Sequence, residues 1–332
     1  MNSILKKVIQ KDNLTQDEAK YAMNKIMSGE VSDIVLASYI TALRLKGETI
    51  DEIAGSAMAM REKAVKFEAN DALDIVGTGG DGLNTFNVSS ISALVAAGCG
   101  IKIAKHGNKS VSSKCGSADV FEALGVKIDI PPQKMQAVYN SIGVAFLFAP
   151  VYHTSMKYAA NVRRGLGIRT IFNILGPLSS PASARHTLIG VYDHMLVKPF
   201  AQVLNKLGVT NGIVVHGENG LDEVNPAGLT YVSELKDGDV INYTLTPKDF
   251  GLNECRLEEI IGADAAANKD IALRILKGEK GSKRDTVIMN SALAIKAVQG
   301  KSIKDCASIA QESIDSGNAY KKLEELIDAT NQ

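Results

Sequence analysis

Two stretches of the chain carry residue types suited to anions. The first is DIVGTGGDGLNTFNVSS, residues 74–90, in which Gly77, Gly79, Gly80 and Gly82 follow a short apolar run and Thr85, Asn87, Ser89 and Ser90 follow the glycines. Glycines let a backbone approach a ligand closely and tolerate positive φ. Amides and hydroxyls at a helix start bind phosphate oxygens. Gly77, Gly79 and Gly82 also fit the dinucleotide pattern G-x-G-x-x-G, but that pattern needs an acid about 20 residues on for the ribose. Lys102 stands there, and no Asp or Glu occurs between Asp81 and Asp119. The second stretch is KHGNKSVSSKCGSAD, residues 105–119, with three lysines, a histidine, an asparagine and several serines before a helix. In an open α/β sheet such loops meet at the carboxyl ends of the strands. Together they suit a ligand with two separate phosphate groups.

Two further stretches add to these. Asp222 and Glu223 are adjacent in GENGLDEV, residues 217–224. Paired carboxylates beside a polyphosphate suit Mg²⁺, although an acid pair in a loop is more often simply solvated. NVRRGLGIRTIFNILGPL, residues 161–178, joins Arg163, Arg164 and Arg169 to an apolar run. Arginine can grip a carboxylate with two parallel hydrogen bonds; ordinary surface ion pairs are the alternative.

These motifs need elements to hold them. The first 66 residues read as helices, with capping-box patterns at Thr15/Glu18 and Thr49/Glu52 and stops at Gly29 and Gly47. From Leu73, the short apolar runs LDIV, IKIA, VAFLF, TLIGV and GIVVH alternate with helical stretches. That alternation predicts a mostly parallel sheet with helices on both faces. TYVSEL and DVINYTL flank the turn KDGD as extra strands, and the chain is helical again from about Ala263. The fold class is therefore α/β: a small α-helical domain plus a larger α/β domain with a central, mostly parallel sheet.

The 332 residues carry 37 Lys+Arg and 37 Asp+Glu. This balance argues against a general nucleic-acid or membrane-surface binder. The charge is uneven, however: from Gly82 to Tyr192 eleven bases face only Asp119, Glu122 and Asp129. Such a segment can focus a positive field on an anionic ligand. The four cysteines are scattered without a C-x-x-C, and the N-terminal stretch lacks an apolar run of signal or membrane-span length. Reduced thiols in a cytoplasmic protein are expected.

In order and spacing, GTGGDGLNTFNVSS, KHGNKSVSSKCGSADVFEALGV, NVRRGLGIRTIFNILGPL and LDEV closely resemble the anthranilate phosphoribosyltransferases of tryptophan biosynthesis. The resemblance covers nearly the whole chain. It implies transfer of phosphoribose from 5-phosphoribosyl 1-diphosphate (PRPP) to the amine of anthranilate, with release of pyrophosphate. It also implies Mg²⁺, two ions per site, and a homodimer joined through the helical domains.

Carried over by motif, the resemblance assigns PRPP to Gly77, Gly80, Asp81, Thr85, Asn87, Val88, Ser89 and Ser90. It adds the run Lys105, His106, Gly107, Asn108, Lys109, Ser110, Val111, Ser112 and Ser113, assisted by Ser117. Anthranilate falls to Gly77, Asn108 and Arg163, with His106, His153, Gly176 and Pro177 nearby. The metal falls to Ser89, Asp222 and Glu223. Where many relatives have Thr, Ser90 keeps the hydroxyl. The implied domains are 1–66, joined by a helical segment around 161–180, and 71–160 with 181–332.

No dedicated general base is demanded, because an arylamine is neutral at pH 7 and already nucleophilic. Lys105 and Arg163 are expected to position the substrates. Two other functions use the same fold: a pyrimidine nucleoside phosphorylase, which needs one phosphate site and a nucleobase pocket, and a non-enzymatic nucleic-acid binder. The acid pair and the second phosphate loop weigh against the first, and the neutral overall charge weighs against the second.

Overall fold

A computed structural model describes residues 1–110 and 114–332. Four helices open the chain: α1 (Asn2–Ile9), α2 (Gln16–Met27), α3 (Asp33–Lys46) and α4 (Ile50–Lys63). Both capping boxes form, at Thr15/Glu18 and Thr49/Glu52. Glu52 reaches further. Fully buried, it accepts the Leu14 amide at 2.9 Å and meets Lys46 at 2.9 Å, so one carboxylate ties three segments together.

Strand–helix alternation follows in β1 (Leu73–Gly77), α5 (Val88–Gly98), β2 (Ile103–Gly107), α6 (Ser117–Ala123), α7 (Pro132–Ile142) and β3 (Val144–Phe148). Three helices come next: α8 (Ala149–Tyr152), α9 (Lys157–Leu166) and α10 (Ile171–Leu178). The sheet resumes with β4 (His186–Gly190), α11 (Val197–Lys206), β5 (Asn211–Gly217), β6 (Thr230–Lys236) and β7 (Asp239–Leu245). The chain closes with α12 (Ala265–Leu276), α13 (Ser282–Gln299), α14 (Ile303–Asp315) and α15 (Asn318–Asn331).

The seven strands form one sheet in the order β3-β2-β1-β4-β5-β6-β7. The first five in that order run parallel, and β6 and β7 are antiparallel. The β6–β7 turn is Asp237-Gly238, with φ of 51° and 93°. Two positive φ values are what a two-residue hairpin turn of type I′ requires.

Alternate residues of each strand face opposite sides of the sheet, so the strands serve two cores. Leu188, Ile213 and Val215 join the core built with α5 and α12–α15. Ile189 and Val214 join the other, which they share with α1–α4, α9, α10 and α11. The N-terminal bundle is thus completed from later sequence: Ala159, Val162, Ile171 and Leu175 pack in the same core as Met23, Leu36 and Ile40.

The neighbours of β1 are β2 on one side and β4 on the other. Connections wind away in opposite directions from that point and open a crevice beyond the carboxyl ends of the strands. All the phosphate-type motifs lie on loops leaving those ends.

Candidate active site

The glycine loop after β1 is held from three directions. The Thr78 amide donates to Gly190 O at 2.9 Å, and the Tyr192 amide donates to Thr78 Oγ1 at 3.1 Å, tying the loop to the end of β4. Gly79 and Gly80 take φ of 67° and 74°, which turns the chain back over the strand. Further on, Thr85 bridges Ile261, the Phe86 amide donates to Ile260 O at 3.2 Å, and the Gly262 amide donates to Asn84 O at 2.9 Å. Asn87 then joins the two phosphate-type loops. Its Nδ2 donates to Cys115 O at 3.2 Å while its Oδ1 accepts Asn268 Nδ2 at 3.0 Å.

Asp222 and Glu223 are not a solvated pair. Asp222 is buried, and its Oδ2 accepts the Gly79 amide at 2.6 Å. Glu223 Oε1 accepts the Ser89 amide at 3.1 Å, in the first turn of α5. An amide expected from the sequence to face phosphate is therefore engaged by a carboxylate. A carboxyl oxygen there satisfies an amide that the helix start leaves without an intrahelical partner, so the arrangement stabilises the loop. The acid segment sits very close to the strand ends: a Cβ on Gly77 would lie 2.5 Å from Asp222 Oδ2, and one on Gly190 would lie 1.6 Å from the Asp222 carbonyl oxygen.

Burial, and then the nearby charge of Asp81, pushes the Asp222 carboxyl up to about 7. Burial and the charge of Asp222 raise Glu223 well above the usual carboxylate range. Lys105 lies beneath them, almost wholly buried, donating from Nζ to Ile75 O and to Ser89 Oγ, the latter at 3.3 Å. Burial lowers its pKa, against the opposing pull of Asp74, Glu223 and Asp222.

The second loop is pinned by Asp119, whose Oδ2 accepts the amides of Ser110 at 2.9 Å and Gly116 at 2.8 Å. The Asn108 carbonyl accepts the Ala118 amide at 3.1 Å and Ser117 Oγ at 3.4 Å. Gly107 is needed where it stands, since a Cβ would meet Ser117 Oγ at 2.3 Å. Lys109 pairs with Glu122 at 2.8 Å on the surface. Val111, Ser112 and Ser113 lie outside the described residues.

A different environment surrounds His106 and His153. Both are buried, with ring centroids 5.1 Å apart, and neither Nε2 has a hydrogen-bond partner among the described residues. Burial, then the neighbouring His153, holds His106 well below its ordinary pKa, with a hydrogen bond to the Gly176 backbone opposing; burial lowers His153 to about 4. Space beside Gly176 is open, since a Cβ there would meet nothing within 4 Å, and Pro177 follows inside α10. Arg163, in the last turn of α9, lies over the Phe172 ring at 5.3 Å. Phe172 is one helical turn before Gly176.

Two family descriptions match the chain: "Glycosyl transferase family, helical bundle domain" over residues 2–64, and "Glycosyl transferase family, a/b domain" over 69–320. The anthranilate phosphoribosyltransferase of Endomicrobium trichonymphae is 51% identical across 98% of this chain and 97% of that protein. The crystal structure of anthranilate phosphoribosyltransferase from Thermus thermophilus superposes with a TM-score of 0.94 at 41% identity, covering 99% of each chain. The Saccharomyces cerevisiae anthranilate phosphoribosyltransferase in complex with PRPP and Mg gives 0.90 at 32% identity, covering 99% of this chain and 97% of that one. The chain belongs to the anthranilate phosphoribosyltransferase family.

For a member of that family, the motifs left several supports unread. Asn268 is buried and holds Asn87 in place while its own Oδ1 accepts the Ala263 amide at 3.0 Å. Ile260–Gly262 pairs with the glycine loop, and Gly262 permits the approach: a Cβ there would lie 2.6 Å from Phe86 Cα. Arg169 donates to the Gly80 carbonyl and stacks on Tyr192, with 4.2 Å between guanidinium and ring centre. Only Arg169 carried a signal in the sequence, as one of the cationic residues in NVRRGLGIRTIFNILGPL, where Arg163 alone is given a role.

Proposed function

We propose that this protein transfers the 5-phosphoribosyl group of PRPP to the amine of anthranilate, giving N-(5-phosphoribosyl)anthranilate and pyrophosphate in L-tryptophan biosynthesis. One observation carries the reading: Asp222 and Glu223 clasp the Gly79 and Ser89 amides beneath a loop whose Gly80, Asp81 and Gly82 amides have no partner within the protein among the described residues. Unpaired amides beside the buried Asp222 and the half-buried Glu223 suit an anion that arrives with a divalent cation.

In this reading PRPP lies along residues 77–90 and 105–110, and anthranilate lies between Arg163 and the His106–His153–Gly176 wall. The donor set fits Mg²⁺. It consists of hard oxygens, and each carboxylate already spends one oxygen on an amide. Among the described residues no three or more His, Cys, Asp or Glu side chains form a metal cage. That suits an ion which keeps its waters and completes its shell with phosphate oxygens. With one oxygen left on each acid, two ions per site are the natural count. When bound, Mg²⁺ neutralises charge on the leaving diphosphate.

The protein's own part is positioning. The glycine-loop amides hold the diphosphate, and Arg163 grips the anthranilate carboxylate. The two histidines stay neutral and form an uncharged wall for the aromatic ring. As the amine nitrogen bonds to C1 of the ribose, the C1–O bond breaks and its electron pair leaves with pyrophosphate; the amine then loses a proton to solvent. Holding the reactants in line provides much of the acceleration in such a transfer.

The helical bundle is proposed as the homodimer interface: α3 exposes Ile34 and Leu45 (80% and 81%), and Ile9 at the end of α1 is 62% exposed. A cytoplasmic location belongs to the same proposal. So does a division into 1–66 with 161–180 and 71–160 with 181–332.

The deciding assay follows anthranilate fluorescence, which should fall with PRPP and Mg²⁺. Consumption with ribose 1-phosphate instead would favour the phosphorylase reading, and tight binding of DNA without any turnover would favour the nucleic-acid reading. Light scattering at micromolar protein should give a dimer mass, and Leu45→Glu with Ile34→Glu should give a monomer.

A further inference from the structure

We infer that Arg169 is a positioning residue that sets the glycine loop for the diphosphate of PRPP. The inference rests on the reading above, which lays PRPP along residues 77–90.

Residues 167–170 form a strap between α9 and α10. Gly167 caps α9 in the left-handed conformation with φ of 61°, which turns the chain toward the glycine loop. From the strap the Arg169 guanidinium donates to Gly80 O and lies over the Tyr192 ring, 4.2 Å from its centre. Tyr192 is itself anchored, because its amide donates to Thr78 Oγ1 at 3.1 Å. One planar side chain thus bridges the loop and the segment that holds the loop's base. Among the described residues no other side chain from outside the loop hydrogen-bonds the backbone of Gly80, Asp81 or Gly82.

The geometry of one peptide unit gives this contact its consequence. In a planar trans peptide the carbonyl and the following N–H point in opposite directions. Fixing the Gly80 oxygen on the strap side therefore turns the Asp81 N–H to the other side, where it has no protein partner. Glycines at 79, 80 and 82 leave that peptide easy to rotate. Without Arg169 the Gly80 carbonyl is free to swing toward an incoming diphosphate and oppose it. The strap also continues from α9, which carries Arg163 and packs on α2 and α3. The arm assigned to anthranilate therefore reaches the loop assigned to PRPP through Arg169.

The bond to Gly80 is charge-assisted but exposed, which places its effect at the low end for such contacts. Arg169→Ala should raise KM for PRPP about tenfold. KM for anthranilate at saturating PRPP should move less than about twofold, and the melting temperature should hold within about 2 °C. Arg169→Lys keeps a donor but lacks the planar stack, so it should recover part of the PRPP KM. Tyr192→Phe keeps the stack and should match the unaltered protein. An unchanged PRPP KM in Arg169→Ala would overturn the inference. So would equal rises in both KM values with a lower melting temperature, since that is general loosening. Failure of the unaltered protein to consume anthranilate with PRPP and Mg²⁺ is a separate result; it would overturn the parent reading and this inference together.

Discussion

The acidic side of the crevice and its histidine side are built from the same physical ingredient with opposite results. Burial disfavours whichever form of a group is charged. Around Asp222 and Glu223 it raises both carboxyl pKa values, so the ionised pair is costly until a cation arrives to neutralise it. Around His106 and His153 it lowers both imidazole pKa values, leaving two neutral rings. Low polarity therefore prepares one side for a metal–diphosphate and the other for a flat aromatic acid. Lys105 lies beneath the acidic side as its buried counter-charge.

The hardest test of that contrast removes the charge on the acidic side. Asp222→Asn with Glu223→Gln should lower turnover at least about a hundredfold, the cost of losing a charge-stabilising group in a water-poor site. The side-chain oxygens remain to accept the Gly79 and Ser89 amides, so the fold should persist by circular dichroism. Full activity with unchanged Mg²⁺ dependence would dissolve the contrast.

On the other side, Arg163→Ala should weaken anthranilate use roughly 10- to 150-fold, from a bidentate contact of about 1.5–3 kcal/mol. PRPP binding by calorimetry should hardly change, and Arg163→Lys should be a poor replacement. Lys105→Ala should show the reverse partition, with PRPP weakened about tenfold and anthranilate retained. If Arg163→Ala lost PRPP and kept anthranilate, the two sides would have to be exchanged.

The smallest effect is on the stability of the protein without ligands. The folded pKa of Asp222, about 7, lies above its ordinary value of 3.8. The folded state thus holds this proton more tightly than the unfolded chain, and stability from this group is complete below about pH 4 and lost as pH rises through 7. Asp222→Asn should therefore raise the melting temperature by about 2 °C at pH 8 and leave it unchanged at pH 4. An equal shift at both pH values would mean that charge burial is not the cause.

Much of the fold was legible because its signals are local. Thr15 and Glu18 are three residues apart, Gly47 stops a helix beside it, and the apolar strand runs are bounded by loop residues. The loops that form the crevice were legible for the same reason. What each side chain grips was not. Glu223 takes the Ser89 amide from far along the chain, Asn268 holds Asn87, and Gly190 is a glycine because the Asp222 carbonyl passes over it. No periodicity or cap encodes such pairings, since they arise only once the sheet has brought β1, β4 and β5 side by side. The arginines divide on the same ground. The motif resemblance singled out Arg163 and gave Arg169 no role, whereas the αL turn at Gly167 precedes the strap from which Arg169 reaches the glycine loop.

The two-part construction of the helical bundle also bears on how the protein is made. Residues 1–63 form four helices, yet their shared core includes α9 and α10, and those end only at Leu178. At roughly 5–20 residues per second of synthesis, the finished N-terminal helices wait on the order of ten seconds for these partners. During that interval α2 can pack on α4 and α1 on α3, while the faces that meet α9 and α10 stay uncovered. Residues 1–63 are thus made well before the partners that complete their packing, and they reach their final core only after α10 has been synthesised.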